Sequence, residues 1–255
     1  MKDFILRAIS VLGLDPKAIL SLGNTGRFLA EYRRFIRLGG EVRKTFPILS
    51  DYREWAGTMK GHYFHQDLHI AQRIFEDQPS KHVDVGSLIT GFVSHVASFM
   101  PIEILDIRPI PSSSKNISFT QQDVMSGLTV STPSLSCLHT LEHFGLGRYG
   151  DPIDPNGHLK GFQNLVNAVE PGGRFYISFP IGAMERVEFN AHRVFNPESI
   201  FSWPGSESLE LADFSFVDDS GDFHTGKNVS DAAAMNLTFG CGIYTFNKSP
   251  STTSA

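Results

Sequence analysis

Short apolar runs alternate with stretches of helical spacing from residue 82 onward. Five runs predict strands: HVDV (82–85), IEILDI (102–107), ISFT (117–120), SLSCLHT (134–140) and RFYISFP (174–180). Between the last two, apolar residues recur at helical intervals up to Val169, and the glycines of EPGG (170–173) predict the end of that helix. Fully apolar strands separated by helices predict a parallel sheet with right-handed crossovers.

The pattern changes after Pro180. Residues LELADFSFVDD (209–219) and LTFGCGIYTFNK (237–248) predict two further strands. The segment between them, which includes GKNVSDAAAMN, is too short and polar for a full crossover helix. We therefore expect the last two strands to be antiparallel neighbours. The whole pattern predicts an α/β fold, a Rossmann-like, doubly wound and mostly parallel seven-stranded sheet with an antiparallel last strand.

Residues 1–80 have helical periodicity and few β-branched clusters. Residues 4–12 predict an amphipathic helix that packs on the domain, and contact with a membrane surface stays open as an alternative. The predicted organisation is a helical extension over 1–80, an α/β domain over 81–249, and a disordered tail over 250–255, where the sequence is low in complexity.

Composition narrows the class of protein. The chain has 255 residues, is 41% hydrophobic and carries a net charge of −5, so it suits one globular α/β domain and not a nucleic-acid partner. No apolar run is long enough to predict an integral membrane segment. Cys137 and Cys241 lie in apolar runs, which predicts buried thiols in a reducing, cytoplasmic setting. The sequence makes no prediction of oligomeric state.

Polar residues and glycines follow the predicted strands in an ordered set. In a doubly wound sheet, ligands bind outside the carboxyl ends of the strands, near the point where strand order reverses. A carboxylate after the second strand can accept hydrogen bonds from both hydroxyls of a ribose. The candidate cofactor-binding residues in these positions are Asp84, Gly86, Ser87, Gly91, Asp106, Gln122 and Asp123.

The first of these turns lacks the usual dinucleotide signature. Its glycines, Gly86 and Gly91, are spaced Gly-x-x-x-x-Gly, not Gly-x-Gly-x-x-Gly, and no Gly-Lys-Ser/Thr phosphate loop is present. This disfavours a pyrophosphate-bearing cofactor and a nicotinamide-dependent oxidoreductase. A nucleoside without phosphates fits the pattern.

These segments resemble those of a known superfamily. From about residue 80 to 248, HVDVGSLITG, EILDI, TQQD, SLSCLHTLEH and LVNAVEPGGRFYISFP are similar to motifs of the class I S-adenosylmethionine-dependent methyltransferases. The resemblance implies S-adenosyl-L-methionine as the cofactor, with Asp84 and Gly86 lining its methionine and ribose, Asp106 holding the ribose and Asp123 the adenine. Ser87 stands where the superfamily usually has a glycine, and it is expected to contact the amino-acid end.

A narrower resemblance concerns the acceptor. GHYFHQD, HVDVGS, LDIRP and LEHFGLGRYGDPIDPNG together resemble a family of unknown function, some members of which lie among bacterial surface-polysaccharide genes. It implies methylation of a hydroxyl on a sugar, glycan or other small acceptor. The alternative is a non-catalytic binding or scaffold protein that retains the fold.

The segment 61–67 predicts a lid over the cofactor. An N-terminal helix closes over the cofactor in many enzymes of the superfamily, and exclusion of water favours methyl transfer. Tyr63 or Phe64 would pack on the cofactor, and Gln66 or Asp67 would bond its polar atoms. The alternative is an aromatic helix face that packs on the core.

A hydroxyl acceptor requires a general base. The candidates are Glu142 and His143 after the fourth strand, His192 after the fifth, and Asp151 in the Gly-rich loop between them. Arg148 and Tyr149, in the same loop, are the candidate substrate-binding residues.

Histidines raise the question of a metal. His139, His143 and His192 are the first group, which Asp151 and Asp154 could join in a cation site. His139 and His143 are four residues apart but fall across a strand end, where their side chains need not converge, so the sequence predicts no metal. A second group, His62, His65 and His69, has spacing that suits one helix face and is interpreted as surface or lid histidines.

Overall fold

The structure is a computed structural model that describes residues 20–250. The amphipathic helix predicted over 4–12 and nearly all of the predicted tail lie outside the described residues. The chain forms two compact units, Met1–Thr58 and Met59–Ala255. Among the described residues, no helix has the length and apolar character needed to cross a membrane.

The first unit contains helix α1 (Thr25–Arg37), preceded by a 3-10 turn at Leu22–Asn24 and followed by another at Asp51–Arg53. Glu31 connects the helix to the later turn: it pairs with Arg27 at 2.8 Å and accepts a hydrogen bond from the Tyr52 hydroxyl at 2.6 Å. No residue of α1 is buried. An open cavity of about 730 Å³ lies within this unit, and Glu54 is the one ionisable residue among its described lining residues.

The second unit is built on one large sheet. Its strands are β1 (Val83–Val85), β2 (Ile102–Asp106), β3 (Ile117–Gln121), β4 (Thr132–Leu138), β5 (Val169–Ile181), β8 (Leu209–Val217), β9 (Phe223–His224) and β10 (Gly240–Lys248). Their order across the described sheet is β3-β2-β1-β4-β5-β10-β8-β9. A separate antiparallel pair consists of β6 (Arg186–Glu188) and β7 (His192–Val194).

Helices cover the sheet. They are α2 (His62–Asp77), α3 (Ser94–Ala97), which continues a π-helical turn at Ile89–Val93, α4 (Gly157–Ala168) and α5 (Val229–Ala234). Shorter 3-10 turns occupy Val124–Ser126, Leu141–His143, Ser199–Ser202 and Ser206–Ser208. The buried positions of α2 include Gln66, Ile70 and Ile74, four residues apart, as expected for a helix that turns one face to a sheet.

The predicted α/β fold is confirmed. Strands β1 to β5 run parallel, and β10 pairs antiparallel with both β5 and β8. Two local details were not predicted: the two-residue strand β9 adds an eighth member to the sheet, and Val169 begins β5 instead of ending α4. Gly173 allows this early strand because a Cβ there would lie 2.8 Å from the carbonyl oxygens of both Glu170 and Pro133.

Two apolar clusters lie on opposite faces of the sheet. One packs α4 against the sheet and contains Phe162, Phe175 and Phe179; the other packs α2 and α3 against it and contains Ile70, Phe92 and Ile104. Burying a side chain of this size stabilises the fold by about 1.5–3 kcal/mol. The two clusters therefore fix the sheet from both sides, and only its strand ends remain available for a site.

Candidate functional site

The first turn of the sheet is organised by a buried carboxylate. Asp84 accepts hydrogen bonds from the Ser87 amide at 3.1 Å, the Ser87 hydroxyl at 2.6 Å and the Ser136 hydroxyl at 2.6 Å. Burial raises the pKa of Asp84 to about 6, although these hydrogen bonds act in the opposite direction. The carboxylate is completely buried, and its hydrogen bonds with Ser87 fix the conformation of the turn.

A side chain at either glycine of this turn, Gly86 or Gly91, would clash with a neighbouring residue. Gly86 has φ +68°, and a Cβ there would lie 2.5 Å from the methyl group of Thr140. A Cβ at Gly91 would lie 2.2 Å from Oδ2 of Asp67, the atom that accepts from the Phe92 amide at 3.0 Å. The absence of a side chain at Gly91 therefore leaves room for the Asp67 carboxylate of α2. Its absence at Gly86 lets the turn lie close to Thr140, which follows β4.

A cavity of about 700 Å³ opens at the carboxyl ends of β1, β2 and β4. This is where strand order reverses, since β1 pairs with both β2 and β4. Eight residues proposed from the sequence line it: Tyr63, Gly86, Ser87, Asp106, His143, Arg148, Tyr149 and His192. Its size falls within the range of small-molecule and cofactor sites.

Asp106 is held by an arginine that the sequence reasoning did not select. Arg108 donates to its two carboxylate oxygens from Nε at 3.0 Å and from a terminal nitrogen at 2.7 Å, and the Arg108 amide adds a third bond at 2.8 Å. The Arg108 guanidinium also lies 4.2 Å from the centre of the Tyr149 ring. The side chain of Asp106 thus faces the cavity with three of its hydrogen-bonding positions already occupied.

A narrower cavity of about 60 Å³ adjoins the first and is lined by Gln122, Asp123 and Asp151. Asp123 accepts from the Met125 amide at 2.9 Å and from the Ser126 hydroxyl at 3.0 Å, as an N-terminal cap of a 3-10 turn. The Gln122 side chain donates to the Gly127 carbonyl at 2.9 Å. Gln122 and Asp123 therefore line this narrower cavity, and their hydrogen bonds also fix the loop that follows β3.

The opposite wall centres on Glu142, which is completely buried. Its Oε1 lies 2.6 Å from Nδ1 of His139 and 3.7 Å from Nε2 of His143. Burial alone would raise the pKa of Glu142 and lower that of His139, but their mutual attraction outweighs burial, so the pKa of Glu142 is lowered and that of His139 is raised well above its ordinary value. The pair is therefore ionised at neutral pH.

His143 differs from its neighbour. Its Nδ1 lies 2.7 Å from the Ala191 carbonyl, so Nδ1 carries the proton and Nε2 retains its lone pair. Burial is the largest cause of a lowered pKa at His143, with the Arg148 charge acting in the same direction. Its ring meets Tyr149 edge to face at 5.4 Å. A neutral imidazole with a free lone pair at a cavity wall has the properties of a general base.

His192 and Arg148 belong to the same wall. His192 begins β7, and burial lowers its pKa although Glu188 lies 3.4 Å from its Nε2. Arg148 donates to the Ala191 carbonyl at 2.9 Å, which connects it to the residue before His192. The structure therefore brings the candidate bases His143 and His192 and the candidate substrate residues to one side of the cavity.

Asp151 has a different surrounding. Its Oδ2 accepts from the amides of Gly145 and Gly147 at 2.8 and 3.1 Å, and its Oδ1 accepts from the Tyr149 amide at 3.1 Å. Three amide donors hold the carboxylate within its own loop. Arg193, 4% exposed, fixes the same loop through four backbone carbonyls, including that of Phe144 at 2.6 Å.

The start of α2 borders the cavity. The Tyr63 ring is half exposed and lies 5.0 Å from the His139 ring, whereas Gln66 is buried, donating to Asp67 at 3.1 Å and accepting from the Ser178 hydroxyl at 2.6 Å. Tyr63 is therefore placed to contact a ligand and Gln66 is not. The lid remains a prediction.

Cavity residues that were missed as binding residues from the sequence include His62, Arg108 and His139. Arg108 follows Asp106 by two positions, and this spacing was the one available signal. His139 has φ +53°, an uncommon backbone conformation that the sequence does not reveal.

Comparison with known proteins supports the fold. Among solved structures, the [4+2]-cyclase SpnF is 12% identical, with a TM-score of 0.53 over 77% of this chain and 86% of that chain. The N-methyltransferase NodS from Bradyrhizobium japonicum WM9 is 13% identical, with a TM-score of 0.51 over 75% and 99%. The chain therefore has the Rossmann-like α/β fold of class I S-adenosylmethionine-dependent methyltransferases. Identity at this level carries the fold and no further.

Family comparison covers a shorter stretch. The family described as "Caenorhabditis protein of unknown function, DUF268" matches residues 116–200, from the start of β3 to the turn after β7. The matched stretch includes His139, Glu142, His143 and His192. The search of curated proteins gave no match.

Proposed function

We propose that this protein is an S-adenosylmethionine-dependent methyltransferase that acts on a hydroxyl group of a small acceptor. The observation that carries the proposal is the cavity at the reversal point of the sheet, with Asp106 on one wall and the neutral His143 on the other. A nucleoside-sized ligand with an acceptor beside it suits a volume of about 700 Å³.

The residues present fit the cofactor. Gly86, Ser87 and Leu88 bring the first turn to the cavity, and Asp106 supplies a carboxylate that can accept from a ribose diol. Gln122 and Asp123 line the narrower cavity that adjoins the first, where the adenine would lie. When bound, S-adenosylmethionine supplies a methyl group already activated by a sulfonium.

One local contact must change for a diol to bind. A carboxylate offers about four lone-pair positions, and Arg108 uses three at Asp106. Two ribose hydroxyls need two positions, so at least one Arg108 contact has to be released. The Arg108 side chain is 49% exposed, so the arginine can turn into solvent when one of these contacts is released, although the Asp106 side chain is only 12% exposed.

His143 is our first choice for the base. Its Nδ1–H is fixed on the Ala191 carbonyl, its Nε2 can accept the acceptor's proton, and the Glu142 carboxylate at 3.7 Å would stabilise the resulting imidazolium. His192 is the second choice. Asp151 stays in the proposal as a loop-shaping residue because its oxygens are already bonded to amides. Arg148 and Tyr149 would orient the acceptor.

The acceptor class is a sugar or glycan hydroxyl. It rests on the resemblance to a family with members among bacterial surface-polysaccharide genes, which is an association and not a geometric argument. The lining supports it in a general way: arginine, histidine and tyrosine side chains offer several donors to a polyhydroxyl ligand.

Calorimetry tests the cofactor. S-adenosylhomocysteine should bind the wild type, NAD should not, and Asp106→Asn should weaken binding about tenfold or more, since it removes an ionic acceptor. Asp213→Asn is the matched control, because Asp213 also pairs with an arginine, Arg73 at 3.1 Å, but does not line the cavity. Failure to bind S-adenosylhomocysteine, or equal binding by Asp106→Asn, would refute the cofactor assignment.

Transfer of a labelled methyl group to nucleotide sugars and glycans tests catalysis. His143→Ala should lower the rate by about 10²-fold or more, the usual contribution of a general base. Binding of S-adenosylhomocysteine without transfer to any acceptor would favour the alternative, a binding or scaffold protein that retains the pocket. Unchanged rates in both His143→Ala and His192→Ala would eliminate both bases.

A further inference from the structure

Three side chains from distant parts of the chain converge beside the cavity. They are His62 at the start of α2, His139 after β4 and Cys241 on β10. One ring nitrogen of each histidine and Sγ of Cys241 all lie within 4.8 Å of one another. The two histidines line the cavity, and the cysteine lies behind them, completely buried.

The two imidazole rings meet through their nitrogens. Nδ1 of His62 lies 2.9 Å from Nε2 of His139, with the ring centres 5.1 Å apart and the planes inclined by 19°. Stacked faces would keep ring atoms about 3.5 Å apart, so the rings approach edge to edge. Two nitrogen lone pairs that face each other repel unless a proton or a metal cation is shared between them.

A buried carboxylate orients one ring. Oε1 of Glu142 lies 2.6 Å from Nδ1 of His139, so Nδ1–H donates to Glu142 and Nε2 faces the cluster. In the metal-free protein Nε2 carries the proton that it shares with His62, and binding of a metal would release that proton. Metal-ligating histidines usually donate their other N–H to a carboxylate or carbonyl in this way. The second oxygen of Glu142 is buried and has no hydrogen-bond partner among the described residues, so a nearby cation would offset the cost of burying it.

The thiol completes the set. Its contacts in the structure are long: Sγ of Cys241 is 3.7 Å from Oε1 of Gln66 and 3.7 Å from the Gly242 carbonyl. A sulfur with two weak contacts, next to two imidazoles, is an available soft ligand. The other histidines of α2 point elsewhere: His65 stacks on Phe223 at 5.0 Å, and His69 lies 3.5 Å from Asp213.

We propose that His62, His139 and Cys241 form a zinc site with an open fourth position toward the cavity. Tetrahedral zinc has bonds of about 2.0–2.1 Å to nitrogen and about 2.3 Å to sulfur, which places its ligand atoms roughly 3.3–3.6 Å apart. The two nitrogens, 2.9 Å apart, need to separate by a few tenths of an ångström, and Sγ of Cys241, which lies up to 4.8 Å from a nitrogen, needs to approach by about 1 Å. A thiolate and the Glu142 carboxylate balance the two charges of the ion. Three protein ligands with one open position is the pattern of catalytic zinc sites.

The site stands independently of the proposed methyl transfer. Its test is cobalt binding to the purified full chain after treatment with a chelator. One equivalent of Co²⁺ should give a thiolate-to-metal absorption band in the near ultraviolet and visible bands of tetrahedral intensity, and Zn²⁺ should displace both. X-ray absorption of the zinc-loaded wild type should show one sulfur at about 2.3 Å and two nitrogens at about 2.0–2.1 Å.

Matched variants locate the ligands. Cys241→Ser should remove the thiolate band, and Cys137→Ser, which changes the other buried free cysteine, should keep it. His62→Ala should lose cobalt affinity, while His65→Ala should retain it. Glu142→Gln should weaken affinity about 10- to 100-fold, as expected for a residue that orients a ligand. Near-ultraviolet circular dichroism checks that each variant is folded.

Three results would overturn the proposal of a zinc site. One is wild-type protein that gives no tetrahedral cobalt spectrum and no sulfur in the zinc shell. Another is a proton shared by His62 and His139, seen by nitrogen NMR as an unchanged imidazolium signal in the presence of excess Zn²⁺. Loss of the band in Cys137→Ser to the same degree as in Cys241→Ser would also contradict it.

Discussion

The buried carboxylate of Asp84 makes folding stability depend on pH in an unusual direction. Its pKa rises from 3.8 to about 6 on folding. Between these values the unfolded chain loses the proton while the folded chain keeps it, so the unfolded state becomes favoured as the pH rises. The perturbation that isolates this effect is Asp84→Asn, which removes the titration and keeps the shape of the side chain.

The size of the effect follows from the shift. A change of about 2 pKa units corresponds to about 3 kcal/mol at about 1.36 kcal/mol per unit. We therefore expect the free energy of unfolding of the wild type, minus that of Asp84→Asn, to fall by about 2.5 kcal/mol from pH 4 to pH 7. Most of the fall should occur below pH 6, and the difference should be constant above about pH 7.

Urea unfolding of both proteins at half-unit steps of pH provides the measurement. Subtracting one free energy of unfolding from the other cancels the contributions of the titratable groups that the two proteins share. Asp218→Asn is a control of opposite sign. Burial alone would raise the pKa of Asp218, but hydrogen bonds from His224 and from the amides of Asp222 and Ser220 outweigh it and lower that pKa. Its contribution is present above the ordinary pKa and is lost as the pH falls. A flat or rising difference for Asp84→Asn would refute the reasoning.

Three further predictions concern the cavity walls. Gly86→Ala should lower the free energy of unfolding by about 2 kcal/mol or more in thermal unfolding, because the new Cβ would both strain the backbone and contact Thr140. Gly172 is also at positive φ, but a Cβ there would have no atom within 4 Å, so Gly172→Ala should cost about 1–2 kcal/mol from backbone strain alone. Equal losses in the two variants would show that the contact at Gly86 has no cost. Arg108→Ala should tighten S-adenosylhomocysteine binding by up to about fivefold in calorimetry because it frees Asp106, and weaker binding would instead make Arg108 a ligand contact. Arg193→Lys should lower the free energy of unfolding by about 2–4 kcal/mol in urea, since one ammonium cannot serve four carbonyls, and a loss below 0.5 kcal/mol would contradict this role.

The sequence predicted the sheet well because its strands are short apolar runs covered on both faces. It also placed Asp106 at a strand end that faces the cavity, because residue position along a parallel strand fixes the edge at which it emerges. It could not predict which way Asp84 points. All three residues of β1 are buried, so there is no alternation of polar and apolar positions to show the direction of a side chain.

Other site features depend on contacts that are distant in sequence. Gly91 is constrained by Asp67, 24 positions earlier, and no local motif reveals this contact. His139 enters the sequence analysis only as a member of a possible histidine metal group, because its partner His62 is 77 positions away. No local pattern encodes such a pair. The roles of the candidate cofactor residues and bases stay predictions until the variants are measured.

The position of β10 has a consequence for assembly. It is inserted between β5 and β8, both of which precede it in the chain, and it brings Cys241 opposite Pro180 and Val217. Until residues 240–248 are synthesised, β5 and β8 have unsatisfied edges, and the residue behind the histidine pair is missing. Because nonlocal pairing of this kind raises contact order, the closing strand sets a late step in folding. An intact cavity wall therefore reports that residues up to Lys248 have been made.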